Sequence, residues 1–252
     1  MRHRGIVRVS LVIGTCKLCG RTGQRLVDSH IIPKGLYEGL VDAAGHPARL
    51  IHDHVHPRRI KKGLFDQFLC AACEARFGSW DQHIQEALRA ANLEELFDDQ
   101  GSVKGWRVQK FNYEKAQMFF VALAWRIHAA SRDPFAMLSL SPRQAQIASD
   151  AIRAGEVGDA SCFNVVLSRF DHDASIAFLD PVEVAYSGIP YWRVAFPRFS
   201  AEIKTDSAPA PPLFEALSLK PDQPWYLIKR DFENSQEVQI MKTMLKAQGL
   251  LP

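Results

Sequence analysis

The chain is expected to be an α+β protein. A metal-binding domain over residues 1–100 precedes a second α+β domain over 101–252, in which a helical section leads into an antiparallel sheet. Four of the five cysteines fall in two pairs of equal spacing, Cys16-Lys17-Leu18-Cys19 and Cys70-Ala71-Ala72-Cys73. Between 112 and 155 apolar residues recur at helical spacing. From 163 to 228 the chain turns to short runs of branched and aromatic residues, which suit strands.

Residues 4–12 read as a short strand entering the first cysteine pair. Gly20 to Gly23 supplies a tight turn, and 25–32 reads as a second strand whose pairing ends at Pro33. Residues 34–64 look irregular, broken by Gly39, Gly45, Pro47, Pro57 and Gly63; such length without structure suggests function or mobility. A helix is predicted over 71–90, with the second cysteine pair in its first turn, and a further short helix over 92–97. The strongest helix covers 112–131, where Met118, Phe119, Val121, Leu123, Trp125 and Ile127 leave it apolar on most sides. Ser141-Pro142 opens the next with a capping hydroxyl and a first-turn proline, and it ends near Gly155. Strands follow at 163–170, 175–179, 191–196 and 225–228. A proline-rich linker occupies 207–212, and an amphipathic helix covers 233–248 with Val238, Met241, Met244 and Leu245 on one face.

At 252 residues, 47% of them hydrophobic and 23% charged, the composition is that of a globular protein with a sizeable core. No apolar run is long enough to cross a bilayer, and 9–14 is too short for a signal peptide, so a cytoplasmic protein with reduced thiols is expected. The net charge of +3 is unevenly spread. Residues 1–65 hold 12 Lys/Arg against 4 Asp/Glu, 66–100 hold 2 against 8, and the remainder is nearly balanced. A basic segment is what a phosphate-backbone binder shows, although solvated surface cations look the same.

Two residues between cysteines let a turn aim both sulfurs at one ion, and two such pairs complete a tetrahedral site. Cys16, Cys19, Cys70 and Cys73 are therefore read as ligands of a structural zinc. A redox dithiol needs no second copy, and disulfides do not suit a reducing compartment. Cys162 is read as packing. Between the pairs, His30 on a strand is a candidate general base, since imidazole titrates near neutrality. Hydrolysis of a phosphodiester also calls for a hard ion such as magnesium or manganese, held by carboxylates. Asp28 shares a strand face with His30, Glu74 follows the last cysteine, and Asp81 lies two turns further along the predicted helix. Arg21, Arg25, Lys34, Arg58, Arg59, Lys61 and Lys62 are candidate phosphate contacts. His46, His52, His54 and His56 form a second cluster, read as a polar loop or a further metal site; the last three would share a face if extended. For Trp125-Arg126 and Tyr191-Trp192-Arg193, core and sheet packing are preferred to ligand roles, with Arg126 snorkelling or pairing with an acid.

The order Cys-x-x-Cys, then His30-Ile-Ile-Pro33, then Leu69-Cys-x-x-Cys73 resembles the zinc-stabilised HNH endonucleases of the His-Me finger, or ββα-metal, group. The resemblance implies a treble-clef zinc domain, His30 as general base and DNA as substrate. In that family the residue before the histidine and the one after the last cysteine bind the catalytic ion; here they are Ser29 and Glu74. The chain is also similar to bacterial proteins of unassigned function sharing Cys-x-Leu-Cys-Gly, Ser-His-Ile-Ile-Pro-Lys, Lys62-Gly-Leu64, Leu-Cys-x-x-Cys-Glu and Ala124-Trp-Arg126. A metal-dependent DNA endonuclease is thus expected. The alternatives are a non-catalytic nucleic-acid-binding or regulatory protein, and a partner-binding component of a bacterial or phage defence system docking through 207–212 and the final helix.

Overall fold

A computed structural model describes residues 12–36, 49–52, 55–59, 64–133, 135–171, 180–196, 198–231, 234, 235, 238, 239, 242 and 243; for 49–52, 55–59, 160 and 161 only the backbone is described. The chain is α+β, with a cysteine cluster near its N-terminus and a large mixed sheet. Strand β1 (Val12–Gly14) runs antiparallel to β2 (Gln24–His30). The span 34–64, expected to be irregular, contains a two-stranded hairpin of β3 (Arg49–His52) and β4 (Val55–Arg59). Strand β5 (Phe65–Cys70) completes a three-stranded sheet of order β1-β2-β5.

Pairing between β2 and β5 slips between Val27 and Ser29. A slip of one residue reverses side-chain facing. Accordingly Leu26 and Ser29 are both buried and Asp28 is exposed.

The helix expected over 71–90 is two helices, α1 (Ala71–Glu74) and α2 (Gly78–Ala87). Between them Arg76 and Phe77 donate to the carbonyls three residues back, Cys73 and Glu74, which tightens the turn and separates the two axes. The short helix expected over 92–97 is corrected to strand β6 (Leu93–Phe97), paired with β7 (Val103–Val108). Its five residues are too few to declare a period, and the partner strand decides. The boundary expected at residue 100 falls in the turn of this hairpin.

Helix α3 (Tyr113–Ala129) is capped by Asn112, whose side chain accepts from the Lys115 N–H at 2.9 Å. Helix α4 (Pro142–Ala154) opens on a capping box of Ser141 and Gln144 and ends at Gly155, with φ +80°. The remaining elements are β8 (Val165–Phe170), β9 (Val182–Tyr186), β10 (Ile189–Phe196), β11 (Phe199–Lys204), α5 (Pro212–Leu217) and β12 (Trp225–Arg230). The seven-stranded sheet has the order β6-β7-β12-β8-β11-β10-β9. It is mixed rather than wholly antiparallel, because β12 lies parallel to β8. Strands expected at 4–12 and 175–179 lie almost wholly outside the described residues, as does most of the helix expected over 233–248.

One hydrophobic cluster runs from Cys16 and Leu18 through α3 to Trp192 and Trp225 of the large sheet. Helix α3 is its axis: ten of its apolar residues from Ala116 to Ile127 have almost no exposure, and it packs between α2 and α4. On its metal-domain side Trp125 meets Phe68 of β5 and Phe77 at ring separations of 6.0 and 6.4 Å. No helix of the described residues is long and apolar enough to cross a membrane.

Candidate metal centre

The loop from β1 to β2 folds back on itself. The Cys16 N–H donates to the Arg21 carbonyl at 3.0 Å, and the Gly20 N–H donates to the Cys16 carbonyl at 2.9 Å. Gly20, at φ +71°, supplies the left-handed step this turn needs. The Lys17 N–H donates to the Phe68 carbonyl at 2.9 Å, which brings the loop beside the end of β5. There Cys70 closes the strand and Cys73 sits in α1, so the two pairs face one another.

The four ligand sulfurs lie within 4.8 Å of one another, and all four cysteines are free of disulfides. A zinc ion bonded to each at about 2.3 Å needs sulfurs separated by roughly 3.8 Å, so the cluster could hold such an ion with little movement. Electrostatics agree. Burial opposes ionisation of Cys16, but the backbone N–H groups of Cys19, Cys70 and Leu18, with the Cys19 thiol, bring its pKa down to about 7. Burial and the crowding of Cys70, Cys16 and Cys19 drive the Cys73 thiol upward. A pocket that asks several thiolates to coexist is relieved by a divalent cation. Cys162 is buried elsewhere in the core, with burial pushing its thiol up to about 11.

The knuckle is also tied to the helical layer. Lys17 Nζ donates to the Ala129 carbonyl at the end of α3 (2.6 Å) and to Ser131 Oγ (3.1 Å). Arg153 of α4 donates to the Leu18 carbonyl at 3.3 Å, while Arg76 donates to the Arg153 carbonyl at 2.9 Å.

Behind the centre lies a polar cluster. Arg126 of α3, with no side-chain exposure, donates two hydrogen bonds to Asp81 of α2, each 2.9 Å long; the Asp81 side chain is 18% exposed. The guanidinium also lies 4.9 Å from the Phe77 ring centre and 3.4 Å from the His30 carbonyl. Arg126 Nε and Glu74 Oε2 are buried without hydrogen-bond partners. Burial pushes the Glu74 carboxyl up, opposed by the Ser29 hydroxyl, the Arg126 charge and the His30 N–H. His30 is half-buried; burial first, then the Arg126 charge, lowers its pKa.

Of the candidate ligands of a second, catalytic ion, Glu74 and Asp81 both lie beside Arg126, and no third ligand completes a cluster with them among the described residues. Among the described residues only the four cysteines form a group of three or more His, Cys, Asp or Glu ligands this close together. Asp28 is exposed and accepts from Gln67 at 2.8 Å. Both Asp81 oxygens serve Arg126. Arg21, Arg25 and Lys34 are exposed. Arg58 and Arg59 end β4, while Lys61 and Lys62 lie outside the described residues, as do His46 and His54. His52 and His56 stand on two antiparallel strands, so the alternate histidines do not share one extended segment. Tyr191 and Trp192 are buried in sheet packing. Of the two roles expected for Arg126, snorkelling or pairing with an acid, the structure shows the second, with Asp81 as the acid.

No family model matches this chain, and neither the curated proteins nor the solved structures contain a match to it.

Proposed function

We propose that the protein is a zinc-structured nucleic-acid binder on the treble-clef, ββα-metal plan, in which no catalytic divalent ion is used. The engagement of both Asp81 oxygens by the buried Arg126 carries this reading. Hydrolysis by that plan requires free, convergent hard ligands. Here a guanidinium supplies permanent positive charge beside Asp81 and Glu74. The plan itself is supported by the order of parts: knuckle, hairpin, then a second cysteine pair at a strand-to-helix junction. Nucleic acid is favoured by the exposed Arg21, Arg25 and Lys34 and by the basic excess of residues 1–65. Zinc-loaded protein is expected to bind labelled duplex DNA with a steep salt dependence, indifferent to added Mg2+ or Mn2+, and to leave the strands intact. Replacing Arg21 and Arg25 by Gln should flatten the slope of log affinity against log salt by about 2. Absence of binding at low salt would refute the reading.

Nuclease activity is the second reading, favoured by His30 and Glu74. An imidazole held below its ordinary pKa is neutral and able to take a proton at pH 7, and Glu74 Oε2 is an unused buried acceptor. It predicts Mn2+-dependent strand cleavage, abolished in His30→Ala with zinc content unchanged.

A further inference from the structure

A cleft of about 450 Å³ opens where the zinc knuckle meets α3 and α4, with Lys17, Trp125, His128, Pro142, Gln146 and Ser149 in its walls. We propose that this cleft binds a phosphate-class oxyanion, gripped by the Lys17 ammonium and the His128 Nε2–H. Its volume lies in the range of small-ligand sites, and no carboxylate lines it.

The donors are oriented by the fold. The Leu140 N–H donates to His128 Nδ1 at 3.2 Å, so Nδ1 carries no proton and Nε2 carries it. Nε2 has no partner among the described residues, and the ring is only half-buried. The Lys17 ammonium spends two of its three donors on Ala129 O and Ser131 Oγ, which hold it beside α3 with one donor left. Its charge reaches the His128 ring. The first turn of α4 enters the wall at Pro142 with the positive end of its dipole, set against the negative end of α3 at His128 and Ala129, so the grip falls to the Lys17 and His128 donors. Of the acids nearby, Asp150 is paired with Arg153 and bonded to Gln146, while Asp66 accepts the Ser131 and Gln67 N–H groups and keeps its charge outside the cleft lining. An anion entering here meets the Lys17 ammonium and two unspent donors, and inorganic phosphate, a nucleotide phosphate and a backbone phosphodiester present the same oxygens.

The test is a titration of zinc-loaded full-length protein with inorganic phosphate, against chloride at matched ionic strength, followed through the ring resonances of His128. Those resonances are assigned by their loss in His128→Gln. A saturable shift with phosphate alone, weakened about tenfold or more in Lys17→Met, is the expected result. An unsaturable response, an equal response to chloride, or undiminished binding in Lys17→Met overturns the proposal. Should Lys17→Met lose zinc, phosphorus line broadening in His128→Gln decides, and undiminished phosphate binding there overturns it. Competition by an unphosphorylated oligonucleotide marks the backbone as the source, and competition by a nucleoside monophosphate alone marks a free monoester; either supports the site. The site is independent of the DNA reading: phosphate saturation without DNA binding leaves it standing, and DNA binding without a phosphate response removes it.

Discussion

Replacing Asp81 by Asn leaves the Arg126 guanidinium inside the protein without its bidentate partner. The Asn amide keeps one acceptor oxygen but loses the charge and turns an NH2 donor toward the guanidinium; Arg126 has no side-chain exposure, so water cannot take over the lost bond, and its Nε already lacks a partner. Breaking one side of a buried pair costs about 3–5 kcal/mol. Two features place this site at the lower end. Asp81 retains 18% exposure, and Glu74 is close enough for its charge to respond to Arg126. A loss of about 3 kcal/mol is therefore expected, roughly a hundredfold or more in the folding equilibrium. For a chain of this size it corresponds to a fall in Tm of about 6–12 °C. The double variant Asp81→Leu/Arg126→Met removes both charges and should recover most of it, since apolar replacements of whole buried pairs are close to neutral. Urea unfolding of wild type, both singles and the double, all zinc-loaded, completes the cycle. A cost below about 1 kcal/mol for Asp81→Asn would show that the guanidinium finds water or Glu74, and would refute the picture of a sequestered charge.

Cys73→Ser should abolish stoichiometric zinc by elemental analysis and lower stability by several kcal/mol, because ligand binding and folding are one process at such sites. Gly105→Ala would put a methyl 2.4 Å from the Leu227 carbonyl oxygen; a loss of about 1–3 kcal/mol is expected by chemical denaturation, with weakened amide protection where β7 meets β12. Burial, then the Lys17 charge, lowers the pKa of His128, while burial, then the Lys115 charge, lowers that of His83. Both therefore bind protons more weakly folded than unfolded. Each contributes stability that is present above the unfolded value near 6.5 and is lost as pH falls through the folded value. Ring-proton titrations should give midpoints below 6.5 for both; midpoints at or above it would contradict the burial.

The cysteine cluster was legible because two Cys-x-x-Cys turns of equal spacing can bring four sulfurs to one point, where they could hold a metal ion. Helices α3 and α4 were legible from period and caps. The burial of strand β11 was not, because Ser200, Glu202 and Lys204 alternate with apolar residues as a half-exposed strand would, yet all six of its residues are buried. Their covering is tertiary: Glu202 meets Arg193 at 3.0 Å and Arg230 at 3.3 Å, partners 9 and 28 residues away. Strand β7 was hidden by Gly105, whose absent side chain is what lets the Leu227 carbonyl approach. The irregular pairing of β2 with β5 was not legible, since a slip of register leaves no mark on the spacing of residues.

Lys17 belongs at once to the knuckle and to the last turn of α3. If the thiolates lost their ion and the loop relaxed, the ammonium would withdraw from the carbonyl of Ala129, and Arg153 from that of Leu18. Two helix ends and the cleft between them would then register an event in the sulfur cage. An ion held by the four cysteines would thereby be coupled to the shape of a surface formed by other elements, and protein stripped of it should differ from loaded protein at α3 and α4 as well as at the cysteines.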